Sequence, residues 1–553
     1  MNQKFKENYI NLIEEAVQKE FKNSKKFLAF KKSFCGENKI PQPSNADLRE
    51  LYENLITQNK IKKNPSLEKA MLSRAIRTQS GVAVVAVLTK PSSCPGKCIF
   101  CPTEKNMPKS YLSNEPAVMR AIMNKFDAYN QVQSRLRALE LNGHSIEKIE
   151  LIVMGGTFSY FPKYYQKKFI LDCFRAANNY RRVYKVGKFI KPKQDELLNK
   201  LKKEQKKNET AHCRIVGLTL ETRPDYINEK EILNFRQLGC TRVELGVQTI
   251  FDEILEKNNR EHLIDATIRA TRLLKNAGFK INYHMMPGLW GSTIQKDFKM
   301  FQELFSNPDF QPDMLKIYPT VVTKNSELYN LWKKGIYQAL TDKKFENLII
   351  KIKNEIIPPY VRIQRLIRDV PLPSIEAGPK ISNLRQIIQE KSHCQCIRCR
   401  EIKSDYKSTD KIILNRIDYN ASNGKEIFLQ YVSPDKNKLY SMLRLRIPRS
   451  QTPPPCTQGG GWEGVLYEKL SVLKNSALIR ELHTFGKLIS LKEKNKVSPQ
   501  HIGLGKKLLL EAEKIAREEF DLKKITVISG IGVRNYYRQN GYRLRDSYMT
   551  KNI

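Results

Sequence analysis

The chain has 553 residues, 40% hydrophobic and 28% charged, with 26 Gly and 26 Pro. That composition suits two to four folded domains and excludes collagen-like, mucin-like and wholly disordered classes. Lys and Arg outnumber Asp and Glu by 97 to 57, a formal charge of +40; this fits a polyanionic partner, because cations that neutralise phosphates release counterions.

The bland alternative is a Lys-rich composition, since the excess is spread along the chain. No apolar run of about 18 residues offers a membrane span. Met1–Lys6 lacks the apolar core of a secretory signal, so the sequence reads as cytoplasmic. Residues 1–80 are basic, with helical spacing over Leu48–Ile56, and form an N-terminal helical segment without evident chemistry. From Gly81 the texture changes. Gly81–Leu88 is a continuous β-branched run of the kind buried on both faces of a parallel sheet.

Similar runs follow at Ile149–Met154, Ile215–Leu220, Val243–Val247, Ile281–Met285 and Leu315–Tyr318, with helical-looking segments such as Leu263–Ala277 and Thr293–Phe305 between or after them. Strand alternating with helix over 81–375 predicts an α/β fold, a partial parallel (β/α) barrel. Within it, Arg181–Asn208 carries 11 Lys or Arg against 3 Asp or Glu and reads as an insertion, either gripping phosphate or simply solvated. A Cys-rich linker, 376–410, leads to a second α/β domain, 411–553. Its predicted elements are strands at 426–432 and 439–447, a Pro- and Gly-rich loop at 448–463, Ala477–Phe485, a helix at 503–520, a strand at 524–529 and a helix near 533–539.

The 11 cysteines include two tight triplets, while Cys35, Cys173, Cys213, Cys240 and Cys456 stand alone. An odd total with clustered thiols favours metal thiolates over disulfides. Cys94, Cys98 and Cys101 form C-x3-C-x2-C directly after a buried strand. Three such thiolates can hold three irons of a 4Fe–4S cube and leave the fourth open. S-adenosylmethionine (SAM) can chelate that iron and be cleaved reductively to a 5′-deoxyadenosyl radical; a zinc site lacking one ligand is the alternative. Gly155-Gly156, ending the next strand, would let backbone carbonyls approach the amino group of SAM. Cys394, Cys396 and Cys399, preceded by His393, suit a structural zinc site whose fourth ligand is His393 or a remote residue. A second redox cluster is the alternative there.

Gln500-His-Ile-Gly503-Leu504-Gly505 opens an amphipathic helix whose first N–H groups can face an anion. With the strand Arg480-Glu481-Leu482-His483 before it and Tyr536 after it, the arrangement looks like a GCN5-related acetyltransferase. In such a domain these are the pyrophosphate loop, the pantetheine-pairing strand and the thiol-side tyrosine for acetyl-CoA.

A radical SAM barrel joined to an acetyltransferase domain, together with particular motifs, resembles the family of the Elongator catalytic subunit, the tRNA uridine acetyltransferases that make 5-carboxymethyluridine. The motifs are Val-Met-Gly-Gly-Thr-Phe at 153–158, Glu-Thr-Arg-Pro-Asp-Tyr at 221–226, Gly-Cys-Thr-Arg-Val-Glu-Leu-Gly-Val-Gln at 239–248, His-Met-Met-Pro at 284–287, Lys-Ile-Tyr-Pro-Thr at 316–320 and Gly-Val-Arg-Asn-Tyr-Tyr-Arg at 532–538. The compact spacing of the first triplet departs from the eukaryotic pattern and suggests a prokaryotic-type member. The resemblance implies that Lys148 and Tyr536 serve catalysis, with Lys148 also at the acetyl-CoA; its bland reading is a surface lysine before a strand. It implies acetyl-CoA contacts at Arg480 to His483 and Gly503 to Gly505. It further implies tRNA as substrate at the wobble uridine, position 34, and an electron donor, and leaves open a homodimer or accessory subunits. The deoxyadenosyl radical would take hydrogen from the acetyl methyl, and the resulting carbon radical would add to uridine C5 before thioester hydrolysis. The rivals are a protein lysine acetyltransferase with the barrel as scaffold, and an RNA-binding scaffold.

Overall fold

The computed structural model describes residues 5–72, 81–180, 194–403, 406–448, 468–486 and 502–553. Seven strands lie in one sheet in chain order: β1 (Ala83–Leu88), β2 (Lys148–Met154), β3 (Arg214–Thr222), β4 (Arg242–Gln248), β5 (Lys280–Met285), β6 (Met314–Ile317) and β7 (Arg362–Arg365). Every neighbouring pair is parallel. The β-branched runs become strands because residues such as Val85, Leu151 and Val243 bury against an outer layer of helices, including Lys163–Asn179 and Ile264–Asn276. The alternate residues face a lumen. Strand β1 pairs only with β2 and β7 only with β6, so the described barrel is partial and open between its two edges.

One expectation changes. The segment 181–208 read as an insertion, and its residues 181–193 lie outside the described residues. Gln194–Asn208 is a helix of the outer layer, with Leu197 and Leu201 fully buried. Asn178 Nδ2 donates to Glu204 O at 2.9 Å and seats it beside Lys163–Asn179. Its lysines are the solvent face of a packed barrel helix.

The second sheet runs β13-β14-β12-β11-β10-β9-β8. Its strands are β8 (Ile413–Ala421), β9 (Gly424–Val432), β10 (Leu439–Pro448), β11 (Ala477–Thr484), β12 (Lys524–Val527), β13 (Arg543–Arg545) and β14 (Tyr548–Asn552). Only β11 and β12 are parallel, and they pair through Ala477–Ile479 alone. Beyond Ile479 the strands part, and the β12-facing edge of Arg480–Thr484 is left without that partner. The helix Leu504–Glu518 covers this sheet with Leu508, Leu509, Ala512 and Ile515. Pro448 ends β10, and the rest of the loop expected at 448–463 lies outside the described residues. Four N-terminal helices, Lys6–Val17, Ser24–Glu37, Asn45–Thr57 and Pro65–Ala70, share a separate apolar core.

The second sheet docks beneath the N-terminal ends of the barrel strands. Arg480 Nη1 donates to Phe279 O at 2.6 Å, Arg444 Nη2 to Tyr360 O at 2.6 Å, and Tyr548 OH to Ala277 O at 2.8 Å. The interface combines apolar contacts with buried charge. Asp313 and Glu426 lie among Arg480, Arg446, Arg444 and Lys275, and all six are buried. Groups desolvated like this are stable only while mutually paired. No helix among the described residues is long and apolar enough to cross a membrane.

Candidate functional site

A single cavity of about 1630 Å³ runs along the lumen and reaches both sheets. Its upper end, at the C-terminal ends of the strands, is formed by Cys94, Cys98 and Cys101 in the loop after β1. Its lower end is formed by Lys148, Glu481, His483, Gly503, Gly505 and Tyr536. Between the ends, alternate residues of β2 (Lys148, Glu150, Ile152, Met154) and of β4 (Arg242, Glu244, Gly246, Gln248) all line it, as the two-residue period of a strand dictates. Six residue steps of β2 at about 3.3 Å each separate the two ends by roughly 20 Å.

At the upper end Cys98 is buried and its Sγ accepts from Arg260 Nη1 at 3.3 Å. The Cys101 thiol and the Arg260 and Arg223 guanidiniums hold Cys98 down to about 5, while Cys101 is pushed well up by sharing that proton and by burial. Arg223 is clamped to Asp225 through two bonds of 3.0 and 2.9 Å. A Cβ on Gly96 would stand 2.0 Å from Arg223 Nη1, so only glycine lets the loop close over this guanidinium. Cys94 Sγ lies 3.8 Å from Thr157 Oγ1, just past Gly155-Gly156. Both glycines have positive φ, +129° and +93°, and a Cβ on Gly155 would meet Thr89 Oγ1 at 1.9 Å. Soft thiolates with a stabilised anion, beside a backbone cradle without side chains, fit an iron–sulfur cluster with a ligand laid across the diglycine.

At the lower end, Gly503 is the left-handed N-cap of Leu504–Glu518, with φ +76°. The hydroxyl of Tyr536 lies 3.0 Å from the point a Cβ on Gly505 would occupy, so the loop and the tyrosine form one pocket wall. Lys148 opens β2 on the lumen face, and burial, then Arg214, lower its pKa. The His483 ring packs 4.3 Å from the Phe485 ring, its Nε2 has no hydrogen-bond partner among the described residues, and burial pulls it down to about 4. Leu482 packs at the margin of the sheet core, and Leu504 is buried beneath the loop. The side chains of Arg480 and Glu481 are committed elsewhere. Arg480 is fully buried against Asp313 and Glu426, and Glu481 bonds Lys280 at 3.2 Å and Arg444 at 2.9 Å. Among the described residues no strand pairs with Arg480–His483 on the side facing β12. Gln500 and His501 lie outside the described residues.

A family model described as the Radical SAM superfamily matches residues 90–301, and one described as the Radical SAM C-terminal domain matches 312–393. A tRNA uridine(34) acetyltransferase from Methanocaldococcus infernus is 42% identical over 99% of this chain and 100% of its own. The human Elongator complex protein 3 is 36% identical over 87% of this chain and 85% of its own. The chain belongs to the Elongator complex protein 3 family. A solved Methanocaldococcus infernus Elp3 structure with an N-terminal deletion superposes with a TM-score of 0.69 at 40% identity, covering 86% of this chain and 100% of that one. The family's radical SAM domain implies a 4Fe–4S cluster and SAM.

The second thiol trio lies at the junction of the sheets. The Cys394, Cys396 and Cys399 sulfurs lie within 4.8 Å of one another, a spacing for one ion. Next to them Arg400 donates to Pro359 O at 2.8 Å on the barrel side and to Gln430 Oε1 at 3.0 Å in β9.

Sequence reasoning missed the polar core of the lumen. Glu244 Oε2 takes a hydrogen bond with His284 Nε2 at 3.0 Å and an ion pair with Lys316. Lys316 reaches Glu221 at 3.6 Å, and Tyr111 OH donates to Glu221 at 2.9 Å. Burial would raise the Glu244 carboxyl, but Lys316, His284 and Arg242 together hold it well below the usual range. Lys316 already supplies the positive charge among Glu221, Glu244 and His284. The available signal was a polar or charged residue recurring at alternate positions of otherwise apolar strands, as in Arg242 and Glu244 or Lys280, Asn282 and His284.

Proposed function

We propose that this chain modifies the wobble uridine, position 34, of tRNA, joining a two-carbon unit from acetyl-CoA to C5 and leaving a carboxymethyl group. The observation that carries this reading is the single cavity lined by the thiol triplet at one end and by the Gly503–Gly505 loop and Tyr536 at the other. Cys94, Cys98 and Cys101 would hold the cluster, with SAM against Gly155 and Gly156. When bound, the cluster supplies the electron that splits SAM into methionine and a 5′-deoxyadenosyl radical.

The protein's own part is placement and proton handling. The Gly503–Gly505 turn presents helix N–H groups to the CoA pyrophosphate. The backbone of Arg480–His483, beyond the last pairing with β12, would pair with the pantetheine arm. The Tyr536 hydroxyl, over Gly505, can protonate a departing thiolate. Lys148, its ammonium form disfavoured by burial and Arg214, can exchange a proton beside the acyl group as water attacks the thioester. Cys394, Cys396 and Cys399 would hold zinc as a structural joint, completed by His393 or a remote residue. Residues 1–80, 81–375, 376–410 and 411–553 serve as basic arm, radical domain, joint and acetyl-CoA domain, working in the cytoplasm with an electron donor.

The test is mass spectrometry of tRNA nucleosides after incubation of cluster-loaded protein with acetyl-CoA, SAM and a reductant. Carboxymethyluridine that needs all three is expected. A loaded protein that cleaves SAM yet leaves position 34 unmodified would reject the reading.

A further inference from the structure

Glu244 is fully buried against Lys316, and as a carboxylate it can only accept hydrogen bonds. That fixes the groups around it. Its Oε2 meets His284 Nε2 at 3.0 Å, so in the neutral ring Nε2 carries the proton and Nδ1 the lone pair. Its Oε1 accepts from Asn282 Nδ2 at 3.1 Å, and the same nitrogen donates to Gln364 Oε1 at 2.6 Å. Gln364 therefore keeps its Nε2, a donor, for another partner. Among the described residues neither His284 Nδ1 nor Gln364 Nε2 has a hydrogen-bond partner, and neither is sealed from solvent. Both residues line the cavity, and the His284 side chain is 17% exposed, enough for a ligand to reach it. The neighbouring carboxylates are committed, Glu150 to Arg242 and Glu221 to Tyr111 and Lys316.

One network thus presents the lumen with an acceptor and a donor. The Watson–Crick edge of uracil needs that pair, because N3–H donates and each flanking carbonyl accepts. Proteins that lift a base out of its stack read it on this edge. We infer that His284 and Gln364 form the uracil-reading subsite of the lumen, with His284 Nδ1 accepting from N3–H and Gln364 Nε2 donating to a ring carbonyl. The inference rests on the wobble-uridine reading above and names the residues that recognise the base. Glu244 and Asn282 are positioning residues here, acting through the two side chains they orient.

The test uses three anticodon stem-loops on the full-length protein, carrying uridine, 3-methyluridine or an abasic sugar at position 34. Wild type should bind the uridine loop roughly five- to tenfold more tightly than either of the others, the value of about one hydrogen bond. His284→Phe keeps a ring and removes the acceptor, so it should bind the uridine and 3-methyluridine loops alike. Gln364→Glu keeps the acceptor that Asn282 uses and replaces the donor, so it should erase the advantage of uridine over the abasic loop. With 15N-labelled uridine, the imino proton of position 34 should become visible in the wild-type complex and vanish in His284→Phe. Affinity for SAM should stay within about twofold in both variants. If variants that are folded by circular dichroism keep the uridine preference and the imino signal, or if they lose SAM instead, the subsite is wrong and the wobble-uridine reading stands. If wild type binds the uridine and abasic loops equally, that reading falls and the subsite with it.

Discussion

Arg480 belongs to the strand that the family resemblance ties to acetyl-CoA, yet its guanidinium is fully buried in the joint between the sheets. Four of its hydrogen bonds would vanish in Arg480→Met: to Glu426 at 3.1 Å, to Phe279 O at 2.6 Å, to Asp313 Oδ2 at 3.0 Å and to Asp313 Oδ1. Lys275, Arg444, Arg446 and Lys280 still face Asp313, Glu426 and Glu481, so neither carboxylate partner of Arg480 is left unpaired. The loss is therefore that of one member of a buried ionic set, about 3–5 kcal/mol. Urea unfolding should register a drop of that size, and the melting temperature should fall by about 3–4 °C. CoA titration of the folded variant should give the wild-type affinity, because on the proposed function only the strand's backbone would meet the ligand. Unchanged stability with CoA binding weakened tenfold or more would refute the assignment and return Arg480 to the ligand.

Cys98→Ala should reduce bound iron from about four per chain to below one while leaving circular dichroism unchanged; retention of full iron would contradict the ligand set. Gly155→Val places a branched carbon at φ +129° and 1.9 Å from Thr89 Oγ1. Binding of SAM, read by calorimetry, should weaken by roughly tenfold or more, and wild-type affinity would show the cradle lies elsewhere. Burial raises the Glu481 carboxyl, but Lys280 and Arg444 outweigh it and hold it at about 2, against an ordinary 4.5. Its contribution, on the order of 3 kcal/mol, is therefore complete above pH 4.5 and lost as the pH falls toward 2. Glu481→Gln should lose less stability than wild type between pH 5 and pH 3 in denaturant titrations, and an identical acid loss would count against the pairing.

Six of the seven barrel strands were legible because their outward residues are β-branched and their flanks end in glycine or proline. Strand β7, Arg-Ile-Gln-Arg at 362–365, was not, since Arg362 and Gln364 face the polar cavity and only Ile363 is deeply buried. Strand β8 escaped for a related reason: it is an edge strand whose Asn415, Asp418 and Asn420 imitate a loop. The thiol triplet and the Gly503–Gly505 turn were visible because their spacing is local. The Glu244, His284 and Lys316 cluster was hidden because it comes from three strands and becomes a unit only once the sheet curls.

The floor of the barrel is also the last part of the molecule to be made. Ribosomal synthesis delivers the cysteine loop and all seven barrel strands before β11 and β12, which close the lower mouth, have emerged. Until then Asp313 and Lys275 face water and the lumen is open at its base. Arrival of the C-terminal sheet would then bring Arg480 to Asp313 and Glu426 to Lys275. A stalled or truncated chain would expose, besides those charges, the apolar barrel residues that Leu478, Ile528 and Tyr548 otherwise cover, and so should aggregate as an ordinary unfinished barrel does.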